Sequence, residues 1–153
     1  MDVRLKCAYE PAASSDGYRV LIDRLWPRGM SRARVKLDEW GRELAPSTEL
    51  RQSFGHQPGR FEQLRRRYIE ELRSERPRLT ELRRRARNRT LTLVYSARDT
   101  EHNNAVVLAE VLRRGLPKAE QQRGSTTGAR LGTARRAGRP GTSKPHARKG
   151  ART

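Results

Sequence analysis

Val3, Leu5, Cys7 and Tyr9 alternate with Asp2, Arg4, Lys6 and Ala8, the period-2 pattern of a strand with one buried face. Asp16-Gly17 signals a turn, and the unbroken apolar run Val20-Leu21-Ile22 after it predicts a central strand, covered on both sides. Leu37 to Leu44, around Trp40, fits either a short helix or a strand. Pro46 to Phe54 predicts a helix, with Ser47, Thr48 and Glu49 in its first turn and Gly55 placed to stop it. Pro58 suits the first turn of the next helix, whose apolar face carries Phe61, Leu64, Tyr68 and Leu72 at three- and four-residue steps. Arg76-Pro77 breaks it, and a further helix carries Leu79, Leu82 and Ala86. Leu91-Thr92-Leu93-Val94-Tyr95 is a second buried strand. Past Ser96-Ala97-Arg98, Asp99 is a candidate N-cap for a helix running to Arg114 with Gly115 beyond it. Ala105, Leu108, Ala109 and Leu112 form the inner face of that helix, and Val106, Val107 and Val111 widen it, as in a helix packed on a sheet.

The pattern predicts an α/β fold: a small sheet with two central buried strands flanked by helices, without internal repeats. Composition shifts at Leu116-Pro117. Residues 117–153 hold ten basic residues against Glu120, with Leu131 their only large apolar side chain. Such a segment cannot offset its ordering entropy by burial, so the expected division is an α/β domain over 1–116 and a disordered Arg/Gly/Pro-rich tail over 117–153. Two readings of that tail compete: a basic arm that neutralises nucleic-acid phosphates, or a dispensable appendage.

Charge sharpens the picture. The 153 residues contain 35 Lys+Arg against 17 Asp+Glu, a net +18, and mean hydropathy is −1.00. No apolar run approaches the roughly 18 residues a membrane span needs. The N-terminus lacks the apolar stretch of a secretory signal, and a single cysteine suits a reducing compartment, so a cytoplasmic location is expected. Arg65-Arg66-Arg67 and Arg83-Arg84-Arg85 suggest RNA binding. Their positions off the apolar stripe, with Glu62–Arg66 and Glu81–Arg85 at i,i+4 spacing, favour solvated helix faces instead.

Each buried strand ends in a polar cluster: Asp23, Arg24, Trp26 and Arg28 after one, Tyr95, Arg98, Asp99, His102 and Asn103 after the other. Open α/β sheets bind ligands outside the carboxyl ends of their strands. Arg24 and Arg28 would hold anionic oxygens, Asp99 and His102 are the candidate acid/base pair, and Trp26 or Tyr95 would supply a stacking face. His56, just past a helix-ending glycine, is a weaker candidate for the same pocket. Each has a plainer role to weigh: an ion pair for Asp23 and Arg24, core packing for Trp26, a helix cap for Asp99. No metal site is expected, because His56 and His102 lack paired ligand spacing. Phosphate loop, dinucleotide glycine fingerprint and serine-elbow motifs are absent, so no cofactor is expected either. Cys7 falls on the core face of its strand, an inert position.

The segments Asp23-Arg24-Leu25-Trp26-Pro27-Arg28-Gly29, Leu44-Ala45-Pro46-Ser47-Thr48-Glu49-Leu50-Arg51, Phe54-Gly55-His56, Tyr95-Ser96-Ala97-Arg98-Asp99 and His102-Asn103 resemble the YeaO-like bacterial proteins of domain-of-unknown-function family 488. The resemblance covers roughly residues 1 to 114 and excludes the tail. It implies a small cytoplasmic α/β domain and no particular activity. Ser96 and Arg98 stand where that family often has Gly and Lys. Two functions follow: a small-molecule site, enzymatic or sensory, for an anionic or nucleotide-like ligand, or a nucleic-acid-binding or regulatory protein acting through residues 117–153 and the arginine-rich helices. No membrane partner is expected, and the oligomeric state is left open.

Overall fold

A computed structural model describes residues 1–119. The expectation for the tail beyond them lies outside the described residues. Strands β1 (Val3–Cys7), β2 (Tyr18–Leu21), β3 (Glu39–Trp40) and β4 (Leu91–Tyr95) form one parallel sheet in the order β1-β4-β2-β3. The last strand therefore lies between the first two, pairing Val3 and Tyr18 alike with Leu91. Every residue of β2 and β4 is buried, which accounts for their unbroken apolar runs.

Strand parity sorts the two faces of the sheet. Val20, Ile22, Leu91, Leu93 and Tyr95 face a large core built with helices α2 (Thr48–Phe54), α3 (Phe61–Ser74), α4 (Arg76–Arg85) and α5 (Asn104–Arg114). Leu21 and Val94 face the other way, joined by Ala8 and Val35. Trp26, Met30 and Leu37 from the β2–β3 connection, with Trp40 of β3, close over them. That connection includes the short helix α1 (Arg32–Val35), which the hydrophobic pattern is too brief to predict.

Helix ends follow the residues expected of them. Ser47 caps α2 by accepting from Leu50 N at 3.2 Å, and Gly55 closes it in the left-handed conformation. The break expected at Arg76-Pro77 is present: α3 ends at Ser74, and Pro77 sits in the first turn of α4. Leu37 to Leu44 holds both alternatives in sequence, the two-residue β3 followed by a 3-10 turn at Arg42–Leu44. Three expectations need correction. β1 stops at Cys7, so Tyr9 is 49% exposed rather than inward-facing. Glu62 and Arg66 form no ion pair among the described residues, whereas Arg85 does meet Glu81 at 2.8 Å. Finally, α5 begins at Asn104, not beside Asp99.

Gly17 turns the chain into β2 at φ +65°, and a Cβ there would lie 2.2 Å from the Thr90 carbonyl oxygen. That oxygen already accepts from Tyr18 N at 2.8 Å and cannot retreat without opening the β2–β4 ladder. Gly17→Ala is expected to lose about 2–4 kcal/mol of stability, combining a left-handed alanine with overpacking. Urea unfolding with an unchanged m-value would report it.

Candidate functional site

The chain leaves β4 and β2 in opposite directions. From β4 it turns into α5, which packs on the helical face against β1, β4 and α3. From β2 it enters the 23–38 segment that covers the other face. Adjacent parallel strands whose continuations diverge in this way create a topological switch point, the usual place for a ligand crevice in an open α/β sheet. Here it lies between the carboxyl ends of β2 and β4.

Asp23 spans this point. One carboxylate oxygen accepts from Ser96 N at 2.8 Å and Ser96 Oγ at 2.7 Å, and the other from Asn104 Nδ2 at 3.2 Å. Asn104 Nδ2 also donates to Ile22 O at 2.7 Å, and Trp40 Nε1 to Asp23 O at 2.7 Å. The first residue of the DRLWPRG stretch thus ties the end of β2 to the end of β4, the start of α5 and β3. Ser96 and Asn104 are the partners that sequence reasoning missed. The available signals were a serine immediately past a buried strand and an Asn-Asn pair at the mouth of an apolar helix.

The other strand-end residues divide. Arg24 turns toward α2, donating from Nε to Pro46 O at 2.7 Å. It lines a cavity of about 280 Å³ with Glu43, Glu71 and Glu75, where an anion would meet more carboxylates than guanidinium. Trp26 donates to Met30 O at 2.6 Å and meets Trp40 edge-on at 5.4 Å, so its ring covers the second core. Tyr95 is 3% exposed in the helix-side core and presents no free stacking face. Asn103, 2% exposed, is the N-cap of α5, accepting from Val106 N at 3.1 Å. It does the capping that the sequence suggested for Asp99.

Asp99 instead organises the turn before the helix. Its Oδ1 accepts from Glu101 N at 2.9 Å and His102 N at 3.0 Å, and its Oδ2 lies 2.9 Å from His102 Nδ1. Those main-chain N–H groups, with the imidazole, hold the Asp99 carboxyl below its ordinary value. His102 therefore precedes the helix, and the α5 dipole does not act on it from within a first turn. Its ring meets Phe61 edge-on at 5.3 Å, and Phe61 leads through Phe54 to the exposed His56, with centroid spacings of 6.3 and 6.2 Å. An imidazole oriented through Nδ1 by a carboxylate leaves Nε2 as its outward group.

Arg28 and Arg98 are exposed, and neither side chain donates a hydrogen bond among the described residues. The main chain of Arg28 is held by Tyr9, whose hydroxyl donates to Arg28 O at 3.1 Å just beyond β1. Arg98 lies three residues past the end of β4. Both stand on the carboxyl edge of the sheet, although the cavity containing Arg24 includes neither Arg28 nor His102. Among the described residues no group of three or more His, Cys, Asp or Glu has the geometry to hold a metal ion, and no helix is long and apolar enough to cross a membrane.

Comparison with known proteins gives a consistent picture. A family model described as the inactive DUF488-N3 subclade matches residues 2–129, beyond the 114 residues over which the resemblance was expected. Uncharacterized protein YeaO of Escherichia coli (strain K12) is 45% identical over 116 residues, covering 74% of this chain and 98% of that protein. Uncharacterized protein Rv3073c of Mycobacterium tuberculosis and Uncharacterized protein Mb3100c of Mycobacterium bovis are each 39% identical over 110 residues, covering 72% of this chain and 92% of theirs. No solved structure matches.

Proposed function

Because this chain belongs to the DUF488 family, we propose that it is a non-catalytic binding domain that takes a small anionic or nucleotide-like ligand at the carboxyl edge of its sheet. The observation that carries this reading is the Asp23–Ser96–Asn104 latch at the switch point, which holds the DRLWPRG loop against the β4–α5 turn. With that floor fixed, the open guanidiniums of Arg28 and Arg98 and the outward edge of His102 supply the ligand contacts. Paired N–H donors on a guanidinium match phosphate or carboxylate oxygens.

A binding role suits the groups available better than a catalytic one. Asp99, the candidate acid/base, is spent on two main-chain N–H groups and His102, and Asp23 is saturated by Ser96 and Asn104. The word "inactive" in the matching family description supports the same choice.

A thermal-shift screen with inorganic phosphate, nucleoside monophosphates and sugar phosphates tests the reading. At least one should raise Tm by mass action. Arg28→Ala is expected to weaken that ligand by about 1.5–3 kcal/mol, the worth of a charge-assisted hydrogen bond, and to leave the unliganded Tm nearly unchanged. A full-strength shift in Arg28→Ala would refute the assignment.

A further inference from the structure

The amino edge of the same sheet, opposite the switch point, carries an unusual charge distribution. Four guanidiniums, those of Arg83, Arg87, Arg89 and Arg113, line a cavity of about 730 Å³ in which Asp2 supplies the only carboxylate among the described residues. Asp2 is already engaged, accepting from Arg4 Nε at 3.0 Å and from Thr90 Oγ1 at 3.1 Å. Arg83 donates one N–H to Val111 O at 3.0 Å and Arg113 donates one to Val3 O, leaving the remaining donors of each fork available. Arg87 and Arg89 make no side-chain hydrogen bond or ion pair among the described residues. Arg89 lies over the Tyr18 ring at 5.2 Å from its centroid.

Helix ends alone do not account for this. Cations suit helix C-termini, which explains Arg83 in α4 and Arg113 in α5. Arg87 and Arg89 lie beyond the last residue of α4, Arg85. Several helix arginines, by contrast, are paired with carboxylates: Arg65 with Glu110, Arg73 with Glu70, Arg78 with Glu39, and Arg84 and Arg85 with Glu81. Solvated helix faces, the reading favoured by sequence, fit those residues but not the four around the cavity.

We propose that the Arg83–Arg87–Arg89–Arg113 basin is a sequence-independent binding site for the phosphate backbone of nucleic acid. Guanidinium forks match phosphate oxygens. Among the described residues no glycine-rich loop or helix N-terminus is present to wrap one phosphate, since α4 and α5 bring their C-terminal ends here. Among the described residues no aromatic ring lines the cavity to stack a base, so its contacts position a backbone and carry no base readout. The net charge of +18 on the whole chain attracts such a polyanion from a distance.

The test uses the full-length protein and a short fluorescein-labelled DNA duplex, with affinity measured across a salt series. Each neutralised phosphate contributes a slope of about −0.9 to the log–log salt plot. Arg87→Ala/Arg89→Ala should therefore flatten the slope by about 1.8 and weaken binding on the order of tenfold or more at moderate salt. Arg87→Lys/Arg89→Lys keeps both charges and should retain the slope. Thermal melting of both variants checks the fold. An unchanged slope in the alanine pair would overturn the proposal by placing the contacts elsewhere on the chain. So would displacement of a bound nucleoside triphosphate from this basin in a protein that ignores duplex and single-stranded nucleic acid, since that marks a small-ligand site.

Discussion

Replacing Asp16 by Asn is expected to cost about 3–5 kcal/mol of folding stability, the loss that follows when one partner leaves a buried ion pair. Asp16 and Arg19 are 5% and 4% exposed. The carboxylate accepts from Arg19 Nη1 at 2.5 Å, from Lys6 Nζ at 3.1 and 3.2 Å, and from Ala13 N at 2.9 Å. Arg19 Nη2 donates to Val35 O at 2.8 Å and its Nε to Lys36 O at 3.1 Å, so this cluster also fastens α1 to the sheet. Asparagine fills the space but leaves the Arg19 charge buried without a counter-charge. Acid supplies a second reading of the same pair. Burial raises the Asp16 pKa, but the Ala13 N–H, Lys6 and Arg19 outweigh it and hold the value below the ordinary 3.8. A carboxyl whose folded pKa lies below its unfolded one stabilises the fold above the unfolded value and loses that stabilisation as pH falls through the folded value. The gap between wild type and Asp16→Asn should thus be widest near neutrality and close in strong acid. A gap independent of pH would contradict this account.

Asp23→Ala carries the second large effect. It removes the acceptor shared by Ser96 N, Ser96 Oγ and Asn104 Nδ2. Asp23 is half-buried, so water can reach part of the gap, and a loss of about 2–3 kcal/mol is expected. Binding should fall further than stability does, because β2 and β4 stay paired while the loop carrying Arg28 is released from the β4–α5 turn. Asp23→Asn, which retains one acceptor oxygen, should recover much of the stability. Denaturant unfolding and ligand titration on the two variants separate these contributions.

Much of the architecture was legible because burial and periodicity are local signals. β2 and β4 announce themselves by runs that only a strand covered on both faces can hold, and Ser47 and Gly55 mark the ends of α2. The polar interior was not legible. Asp16 reads as a turn residue beside Gly17, and nothing local says that it neutralises Arg19 inside the fold. Of the two strand-end clusters, only Asp23 reaches across, to Ser96 and Asn104, while Arg24, Trp26 and Tyr95 turn to other contacts. Those partners were not legible, because Asp23 finds Ser96 and Asn104 through the placement of β4 between β1 and β2. The misplaced start of α5 has the same origin. Asp99 and Asn103 can both cap, and the apolar stripe alone does not say which one begins the helix. The four arginines around the amino-edge cavity belong with these cases. Arg83 and Arg113 are far apart in sequence and converge only when α4 and α5 end at one sheet edge.

The central claim is that the switch point between the carboxyl ends of β2 and β4 receives a small anion. Backbone amide shift mapping during titration with a nucleoside monophosphate tests it most directly, because it locates the ligand without a prior choice of variant. The account predicts saturable shifts at Arg28, Ser96, Arg98 and His102, and their loss in Arg28→Ala. Shifts confined to Arg87, Arg89 and Arg113 at the opposite edge, with the strand ends silent, would contradict it.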